Sequence, residues 1–458
     1  MKDFKQFFKD KKVTVMGLGL LGKRLGDIAF LVECGAKVLV TDLKTAEELA
    51  PSIKKLRKYN LPRLGKAGNI QYVLGGHRLE DFEDKDFILK GQGVALDSPY
   101  ILHARSRGIP IEMDESLFAK LAPKVKIIGI TGTRGKSTTT ILIYEILSAF
   151  AKASARQRKF GNVYLGGNIR GTAALPLLKK VKDGDFVVFE LSSWQLQGFG
   201  EALISPHISV FTNFMSDHMN YYGSTTLTTG KAMERYFADK AYIYKFQNEN
   251  DFLILGPNMK DKIEDAKSRT INADISTIPV NWKIKLPGKH NLENIACALE
   301  VAKLLEIPEK IVKKVIENFK AIEGRLELVK DIRGIKIYND TNSTTPEATI
   351  TALYSFGTKV ILIMGGMDKG LGVSDLNEVL PDKTKNIFLI PGSGSDKINN
   401  PKIKIEKVAS LEEAISSAMK IAKRGDVILF SPSFASFNMF KNEYDRGEKF
   451  MQIVKNLK

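Results

Sequence analysis

The sequence IIGITGTRGKSTTT, residues 127–140, has the pattern of a strand, a loop and a helix in succession. An apolar run typical of a buried strand leads into a glycine-containing loop, and the loop leads into a stretch with a helical pattern. A strand, loop and helix in this order form the usual phosphate-binding arrangement, because amide groups at a helix N-terminus point at the anion. The usual pattern places a glycine where this chain has Ile130, so the loop is a variant.

The residue types within this loop favour phosphate binding. Gly132 and Gly135 allow the backbone to turn so that its N–H groups point inward. Lys136 is long enough to reach the outer phosphates, and the hydroxyl of Ser137 is a suitable ligand for Mg²⁺. The structural alternative is a glycine-rich turn that binds nothing, and the strand-to-helix setting disfavours it.

The alternation of apolar runs and helical patterns extends along the whole chain. Such alternation predicts parallel sheets covered by helices. Breaks around Pro123 and Gly324 divide the chain into three α/β modules. We predict a Rossmann-like N-terminal domain, a central P-loop domain of the ATPase type with a parallel sheet, and a Rossmann-like C-terminal domain. Their predicted bounds are residues 1–122, 123–322 and 323–458.

Polar residues stand at the ends of two further apolar runs of the central module. Glu190 ends one run, where a carboxylate that positions a metal ion would lie, and Asp217 and His218 follow another. The alternatives are structural: Glu190 as a helix-capping acid, and His218 as a histidine satisfied within the fold. Their presence in the same module as the phosphate loop keeps the metal-site interpretation open.

The N-terminal sequence GLGLLG has glycines at positions 17, 19 and 22, and Asp42 ends the next predicted strand. Taken alone, this spacing matches the dinucleotide fingerprint and favours NAD. Any βαβ unit that holds a phosphate at a helix N-terminus has the same glycines, and tight strand–helix packing is a structural alternative.

The C-terminal module has polar residues after three of its predicted strands. Asp340 ends one strand, and Thr345 with Pro346 has the pattern of a helix N-cap followed by a first-turn proline. Lys369 and Ser436 follow two other strands. Ligands bind at the carboxyl ends of strands in doubly wound sheets, so we expect these loops to form one site.

Composition limits the classes of function. The 458 residues carry a net charge of +17, which is compatible with nucleic acid, with small polyanions such as nucleotides, or with a lysine-rich proteome. The lysines are spread along the chain instead of forming a patch, which disfavours nucleic acid. The two cysteines form no metal or disulfide pattern, and the charged N-terminus differs from a signal peptide. We expect a cytoplasmic protein without a membrane partner.

The motifs and their order resemble the Mur ligase family over nearly the whole chain. They are TGTRGKS at 131–137, GGNIRG at 166–171, ELSSWQL at 190–196, DHM at 217–219, GKHNLENIACAL at 288–299, GRLE at 324–327 and NDTNSTTPEAT at 339–349. The resemblance implies that ATP phosphorylates a carboxylate of a UDP-linked substrate, and that an incoming amino group attacks the acyl phosphate to form an amide. It also implies glutamate as the added residue and UDP-N-acetylmuramoyl-L-alanine as the acceptor, in the synthesis of peptidoglycan precursors. We expect a monomer by default, since the sequence carries no signal of the oligomeric state.

The resemblance assigns roles to residues of the central module. Lys136 would steady the β- and γ-phosphates, Ser137 and Glu190 would hold one Mg²⁺, and His218 would hold a second. A carbamylated lysine often bridges this site in the family, and Lys240 is the match, with Lys231 as a rival. Asn168 resembles the asparagine beside the acyl phosphate. The implied ATP-binding residues are Gly132, Thr133, Gly135, Lys136, Ser137, Thr138, Asn291, Asn294, Arg325 and Asp340.

Two further sites follow from the resemblance. The residues implied for the UDP moiety are Gly17, Gly19, Leu20, Gly22, Asp42 and Gly91. The residues implied for the incoming amino acid are Thr344, Lys369 and Ser436. NAD then becomes a minor alternative.

The chain departs from the family pattern at three places. Gly91-Gln92-Gly93 replaces a Ser-Pro-Gly turn, and Glu443 replaces an aromatic residue near the tail. Asn342 stands where the D-glutamate enzymes have a lysine, which removes a charge and a hydrogen bond worth about 1.5–3 kcal/mol. The amino acid therefore stays open between D-glutamate, L-glutamate and another residue.

Other classes of function leave features unexplained. A nucleic-acid-dependent P-loop ATPase would fit the net charge, but it should have a clustered basic face. An NAD dehydrogenase would leave residues 131–137 without a role. Folate polyglutamylating ligases share the phosphate loop but would not need a first module of this type.

Overall fold

A computed structural model describes residues 3–19, 22–60, 69–154, 160–222, 229–437 and 439–457. The chain divides into two compact units. The first contains residues 1–278 and 293–315, and the second contains residues 279–292 and 316–458. Among the described residues, no helix is both long and apolar enough to cross a membrane.

The first sheet of the first unit is parallel throughout. Its strands are β1 (Lys12–Met16), β2 (Lys37–Asp42), β3 (Ile70–Leu74), β4 (Phe87–Lys90) and β5 (Ile111–Glu112). Its helices are α1 (Phe4–Phe8), α2 (Lys23–Glu33), α3 (Ala50–Leu56), α4 (Pro99–Ser106) and α5 (Asp114–Leu121). The strand order is β3-β2-β1-β4-β5, so β1 and β4 lie at the point where the order reverses. Crevices at such points are the usual ligand sites of doubly wound sheets.

The second sheet of the first unit is also parallel. Its strands are β6 (Lys126–Thr131), β7 (Val163–Gly167), β8 (Phe186–Glu190), β9 (Ile208–Phe211), β10 (Phe252–Leu255) and β11 (Arg269–Asn272). The helices that follow in sequence are α6 (Lys136–Ser154), α7 (Ser193–Ala202), α8 (Met219–Tyr222), α9 (Thr229–Ala241), α10 (Lys289–Leu304) and α11 (Glu309–Asn318). The order is β11-β10-β9-β6-β8-β7, which makes β8, β6 and β9 consecutive neighbours.

The two sheets of the first unit share a core. Phe118 of α5 meets Phe189 of β8 edge to face, with ring centroids 5.5 Å apart. Gly198 of α7 lies so close to Met113 that a Cβ atom there would come within 2.7 Å of the methionine side chain. This shared core explains why two modules predicted from sequence fall in one compact unit.

The second unit contains the third sheet. Its strands are β12 (Glu327–Ile332), β13 (Ile335–Asn339), β14 (Val360–Met364), β15 (Thr384–Leu389), β16 (Ile405–Lys407) and β17 (Val427–Phe430). Its later helices are α12 (Pro346–Tyr354), α13 (Ser374–Lys383), α14 (Leu411–Ile421) and α15 (Glu443–Asn456). The order is β12-β13-β17-β14-β15-β16, and β12 alone pairs antiparallel to its neighbour among the described strands. Thr345 caps α12 by accepting the amide of Ala348, as predicted.

These three sheets confirm the predicted multidomain α/β fold. The strands of each sheet lie within one of the three predicted sequence ranges. The domain boundaries themselves stay predictions, since compactness divides the chain into two units.

Candidate functional site

The phosphate loop joins β6 to α6 and has room only for glycine at two positions. Gly132 has φ +145° and Gly135 has φ +81°. A Cβ atom at Gly132 would lie 2.0 Å from Oγ1 of Thr212, and one at Gly135 would lie 2.1 Å from Oδ1 of Asn294. Backbone conformation and close neighbours therefore both require the glycines that the sequence supplies.

Side chains hold the loop in its curved form. Nζ of Lys136 donates to the carbonyl oxygens of Gly132 and Thr133, both at 2.9 Å. Oγ1 of Thr133 accepts the amide of Met215 at 3.0 Å, which ties the loop to the segment after β9. Ser137 lies in the first turn of α6, half-buried beside Lys136. The lysine side chain thus folds back against the loop whose amides would bind phosphate oxygens.

Glu190 ends β8, directly beside β6, and is 2% exposed. Its Oε1 accepts Nδ2 of Asn168 at 3.1 Å. Its Oε2 is buried and has no hydrogen-bond partner among the described residues. A buried carboxylate oxygen without a partner is costly, so this one is suited to a cation. Together with the hydroxyl of Ser137, it gives the oxygen donors that Mg²⁺ prefers.

His218 follows β9, on the other side of β6. It has φ +57°, and its amide donates to Oδ1 of Asp217 at 2.8 Å. The imidazole packs against Trp194, with ring centroids 4.9 Å apart. Burial lowers the pKa of His218; the charge of Asp217 opposes this shift and the charge of Lys136 adds to it. The ring is therefore neutral at physiological pH, which is the form that binds metals. Imidazole is a softer donor than Mg²⁺ usually selects, so a second magnesium site stays a prediction.

Lys240 projects from α9 to the phosphate loop. It is 1% exposed, its Nζ donates to the carbonyl of Gly132 at 2.9 Å, and the ammonium lies 4.7 Å from the ring centre of Tyr236. Burial and the charge of Lys136 hold the pKa of Lys240 well below its usual range. A neutral amine is the form that reacts with carbon dioxide. Lys231, the rival, is exposed near the start of the same helix.

Asn294 lies beside the phosphate loop. It accepts the hydroxyl of Thr139 at 3.4 Å, within the first turns of α6. Asn291 belongs to the second unit, and its Nδ2 donates to the carbonyl of Pro287 at 2.7 Å. These observations do not test the predicted binding of ATP by Asn291 and Asn294.

The glycine loop after β1 is held by Asp42. Gly17, Gly19 and Gly22 have φ of +92°, +63° and +86°. Oδ2 of Asp42 accepts the amides of Leu18 at 2.7 Å and Gly19 at 3.1 Å. This carboxylate therefore shapes the loop, whatever else it contacts. Leu20, predicted to contact the UDP moiety, lies outside the described residues.

Gly91 faces the same crevice from β4. Its amide donates to the carbonyl of Met16 at 2.9 Å, and a Cβ atom there would lie 2.8 Å from that oxygen. The predicted UDP-binding glycines thus lie at the carboxyl ends of two adjacent strands.

The second unit brings its three predicted loops to one sheet edge, because β13, β17 and β14 are neighbours. Nζ of Lys369 contacts Oγ1 of Thr344 at 3.0 Å. Met367 and Ala435 pair through a backbone bridge, which joins the loop of Lys369 to that of Ser436. The three residues predicted for the amino acid are therefore carried by connected loops.

Asp340 is buried below these loops. Its Oδ2 accepts the hydroxyls of Ser343 and Ser431 at 2.5 and 2.8 Å, and its Oδ1 accepts the amide of Leu326 at 3.1 Å. Burial raises the pKa of Asp340 to about 6. Arg325 is exposed in the preceding turn. All carboxylate oxygens of Asp340 are thus used within the fold.

Asn342 supports the turn that carries Arg325. Its Nδ2 donates to the carbonyl of Glu323 and its amide donates to the carbonyl of Gly324, both at 3.0 Å. The side chain that replaces a lysine therefore has a structural partner in this chain.

Two supporting residues were missed from the sequence. Tyr236 lies one turn before Lys240, and its hydroxyl donates to Oγ1 of Thr133 at 3.4 Å. Arg446 of α15 is fully buried and donates to the carbonyls of Thr341 and Phe434 at 2.8 and 3.0 Å. The spacing of four between Tyr236 and Lys240 was the available signal for the first. For the second, the Arg446-Gly447 pair belongs to a C-terminal motif that also resembles the family, but that motif did not indicate a role for the arginine.

Comparisons with known proteins agree with this geometry. The model of the Mur ligase middle domain matches residues 130–278, and that of the Mur ligase glutamate ligase domain matches residues 324–434. Curated relatives match over nearly their full length. Proteins of Roseiflexus sp., Clostridioides difficile and Borreliella burgdorferi are 32%, 33% and 34% identical, over 97%, 98% and 98% of this chain and 98%, 99% and 98% of their own. Each is named UDP-N-acetylmuramoylalanine–D-glutamate ligase.

The chain belongs to the Mur ligase family. Solved structures of this family share the fold. The UDP-N-acetylmuramate–alanine ligase of Thermotoga maritima matches with a TM-score of 0.58 at 18% identity, over 98% of this chain and 100% of that one. The MurF ligase of the same organism, in complex with ADP, matches with a TM-score of 0.54 at 21% identity, over 78% and 90%. As a Mur ligase, the chain is an ATP-dependent, ADP-forming ligase, which confirms the predicted class of enzyme.

Proposed function

We propose that this Mur ligase joins glutamate to UDP-N-acetylmuramoyl-L-alanine in the synthesis of peptidoglycan precursors. One observation carries the proposal: the phosphate loop, Glu190 and His218 lie at the carboxyl ends of three adjacent strands, and Lys240 contacts the same loop. The names of the full-length relatives supply the substrate and point to the D enantiomer of glutamate.

The first chemical step transfers a phosphoryl group. The acceptor carboxylate attacks the γ-phosphorus of ATP, the bond to the β-phosphate oxygen breaks, and ADP leaves. In our proposal the loop amides and Lys136 hold the phosphates, while Ser137 and Glu190 hold Mg²⁺. The metal would neutralise charge on the phosphate oxygens. In our proposal Asn168, whose side-chain amide donates to Glu190, would orient the acceptor carboxylate.

The second step forms the amide. The amino group of glutamate attacks the acyl carbon, the bond to the phosphate oxygen breaks, and the amine loses a proton as phosphate leaves. We infer that Thr344, Lys369 and Ser436 hold the incoming amino acid, since Lys369 supplies a cation for a carboxylate and the other two supply hydroxyl groups. Asn342 does not take over the charge of a lysine, so Lys369 becomes the principal cation of this site.

We further infer the remaining assignments. Gly17, Gly19, Gly22 and Gly91 would cradle the UDP diphosphate at the crevice of the first sheet. Lys240 would carry a carbamate, which its burial and its depressed pKa favour. The protein would act as a cytoplasmic monomer without nucleic acid, with domains at 1–122, 123–322 and 323–458. Sedimentation of the purified chain tests the monomer.

Phosphate release tests the proposed reaction. The enzyme is mixed with ATP, Mg²⁺ and UDP-N-acetylmuramoyl-L-alanine, and D-glutamate or L-glutamate is added in parallel. We expect release that depends on D-glutamate and on the acceptor. Release with L-glutamate alone would assign the opposite enantiomer and draw attention to Asn342. Release with neither would refute the substrate but not the family.

A further inference from the structure

The carboxylate of Asp239 lies among three helices of the first unit. Asp239 is on α9, and its Oδ2 accepts two hydrogen bonds. One comes from Nε2 of Gln197 on α7 at 2.7 Å, and the other comes from the hydroxyl of Tyr222 on α8 at 2.9 Å. A single oxygen atom thus connects α7, α8 and α9.

Each of these helices positions a residue of the candidate site. Helix α7 begins three residues after Glu190, and α8 begins directly after His218. Helix α9 carries Lys240 next to Asp239 itself. Adjacent helical residues point about 100° apart, because a turn contains 3.6 residues. Lys240 therefore faces the phosphate loop while Asp239 faces the other two helices, and a rotation of α9 would move both.

The network continues to the first sheet. Oε1 of Gln197 accepts Nζ of Lys90 at 3.3 Å, and Lys90 also donates to the carbonyl of Val94 at 2.7 Å. Lys90 is fully buried at the end of β4, next to Gly91. The side-chain amide of Gln197 thus donates through its nitrogen to Asp239 and accepts through its oxygen from Lys90. One orientation of the amide satisfies both contacts.

We propose that Asp239 is a positioning residue that fixes Lys240 and His218 relative to the phosphate loop. The inference rests on the proposed function for the role of those two residues. Asp239 contacts no reacting group in this arrangement. It acts by keeping three helices in one relative orientation, and misplacement by about 1 Å is enough to cost a large part of a catalytic rate.

The test compares Asp239→Ala and Asp239→Asn with a matched control, Glu234→Gln, an exposed acid on the same helix. We expect Asp239→Ala to lower kcat about tenfold or more while KM for ATP changes less than about threefold. Asp239→Asn should retain part of the rate, because its amide oxygen accepts at least one of the two bonds. Glu234→Gln should leave both constants unchanged.

A second measurement is independent of the ligation reaction. Trp194 packs against His218, so its fluorescence, recorded in a Trp282→Phe background, reports the placement of the imidazole. We expect both Asp239 variants to change the Trp194 response to Mg²⁺–ATP. Tyr222→Phe should lower kcat too, and adding it to Asp239→Ala should cause little further loss, since both remove the same contact.

The outcomes separate this inference from the proposed function. If the wild type does not ligate glutamate but Asp239→Asn alters the Trp194 response, the positioning role stands and the substrate fails. If ligation occurs and the Asp239→Asn variant, with unchanged Tm, has wild-type kcat and fluorescence, the inference is overturned. Should Asp239→Ala fail to fold, Asp239→Asn and Tyr222→Phe decide by the same criteria.

Discussion

At the scale of single residues, Lys136 carries the charge that the phosphate loop presents to a nucleotide. Its Nζ already lies between the carbonyls of Gly132 and Thr133. We expect Lys136→Met to weaken the binding of Mg²⁺–ATP by about 10–150-fold, because a charge-assisted hydrogen bond worth about 1.5–3 kcal/mol is lost. Titration with a fluorescent ATP analogue measures this. Lys231→Met, at an exposed position of α9, is the control, and equal losses in both variants would contradict the assignment.

The protonation of His218 sets an expected pH dependence. Burial lowers its pKa below the ordinary 6.5, so the neutral ring persists as pH falls toward that value. If the neutral form is required, kcat/KM stays constant above about pH 7 and declines only below about pH 6.5. A pH profile between about pH 5 and 8 measures the decline. A decline that begins above about pH 7 would show that a group with a higher pKa is responsible. His103→Gln, remote in sequence on α4, should leave the profile unchanged.

At the scale of elements, the loop from β6 to α6 depends on Gly135 for two separate reasons. Its φ of +81° costs an alanine about 1–2 kcal/mol, and the Cβ atom would collide with Oδ1 of Asn294. We expect Gly135→Ala to abolish binding of Mg²⁺–ATP and to lower Tm. Gly184→Ala is the control, because Gly184 has φ +86° but nothing within 4 Å of the added Cβ atom.

The comparison between these two alanine variants separates strain from collision. Gly184→Ala should lower Tm modestly and leave nucleotide binding intact. In Gly135→Ala, replacing Asn294 by alanine should recover part of the lost Tm, since the colliding oxygen is removed. If the Tm of the double variant is no higher than that of Gly135→Ala alone, the collision is not the cause.

The sequence predicted the elements that local patterns determine. It did not predict the features that depend on contacts between residues distant in sequence. The strand that ends at Glu190 and the loop that begins at Gly132 were predictable, because local apolar runs and glycines determine them. Their proximity followed from parallel strands, whose carboxyl ends share an edge. The choice between Lys240 and Lys231 was open, since both lie on one helix and only packing shows which faces the loop.

Other parts of the site required tertiary contacts. Asp42 was predicted near a ligand, and its bonds to the amides of Leu18 and Gly19 became visible only in the folded loop. Asp239 lies beside Lys240 in the sequence without any motif, and its partners Tyr222 and Gln197 are 17 and 42 positions away. The spacing of apolar residues in the sequence does not indicate such contacts.

For the molecule as a whole, the net charge of +17 raises the question of whether the protein uses nucleic acid. The proposed reaction uses small anions and no nucleic acid. We therefore expect single-stranded DNA and RNA to leave ATP turnover unchanged at physiological salt, and glutamate with its acceptor to stimulate it. Phosphate release measured with each polymer provides the comparison. Stimulation by a polymer in the absence of glutamate would favour the ATPase alternative.

Three buried carboxylates of the first unit lie close together where its two sheets meet. Within the part of the chain that the structure describes, Asp27, Asp114 and Glu115 form their ion pairs with Lys23 and Arg24, so this cluster has one more carboxylate than it has cations. Oε1 of Glu115 accepts Nζ of Lys23 and, at 2.6 Å, Nε2 of Gln195, the residue that closes the cap of α7. Burial and the charge of Asp114 raise the pKa of Glu115 to about 7. One excess carboxylate in a buried cluster is most stable when it is protonated.

This excess charge predicts that the first unit loses stability as pH rises. When folding raises the pKa of a glutamate, its protonated form stabilises the fold. This contribution is fully present below the ordinary pKa of 4.5 and is lost as pH rises through the folded pKa of about 7. We expect the free energy of unfolding to fall by about 1–3 kcal/mol between about pH 5 and 8, and Tm to fall with it. Glu115→Gln should flatten this decline in Tm. Asp27 also has its pKa raised by burial, so Asp27→Asn is the matched comparison. If the decline of Tm with pH remains in Glu115→Gln but is absent in Asp27→Asn, the proton belongs to Asp27. If it remains in both variants, the cluster does not control the stability of this unit.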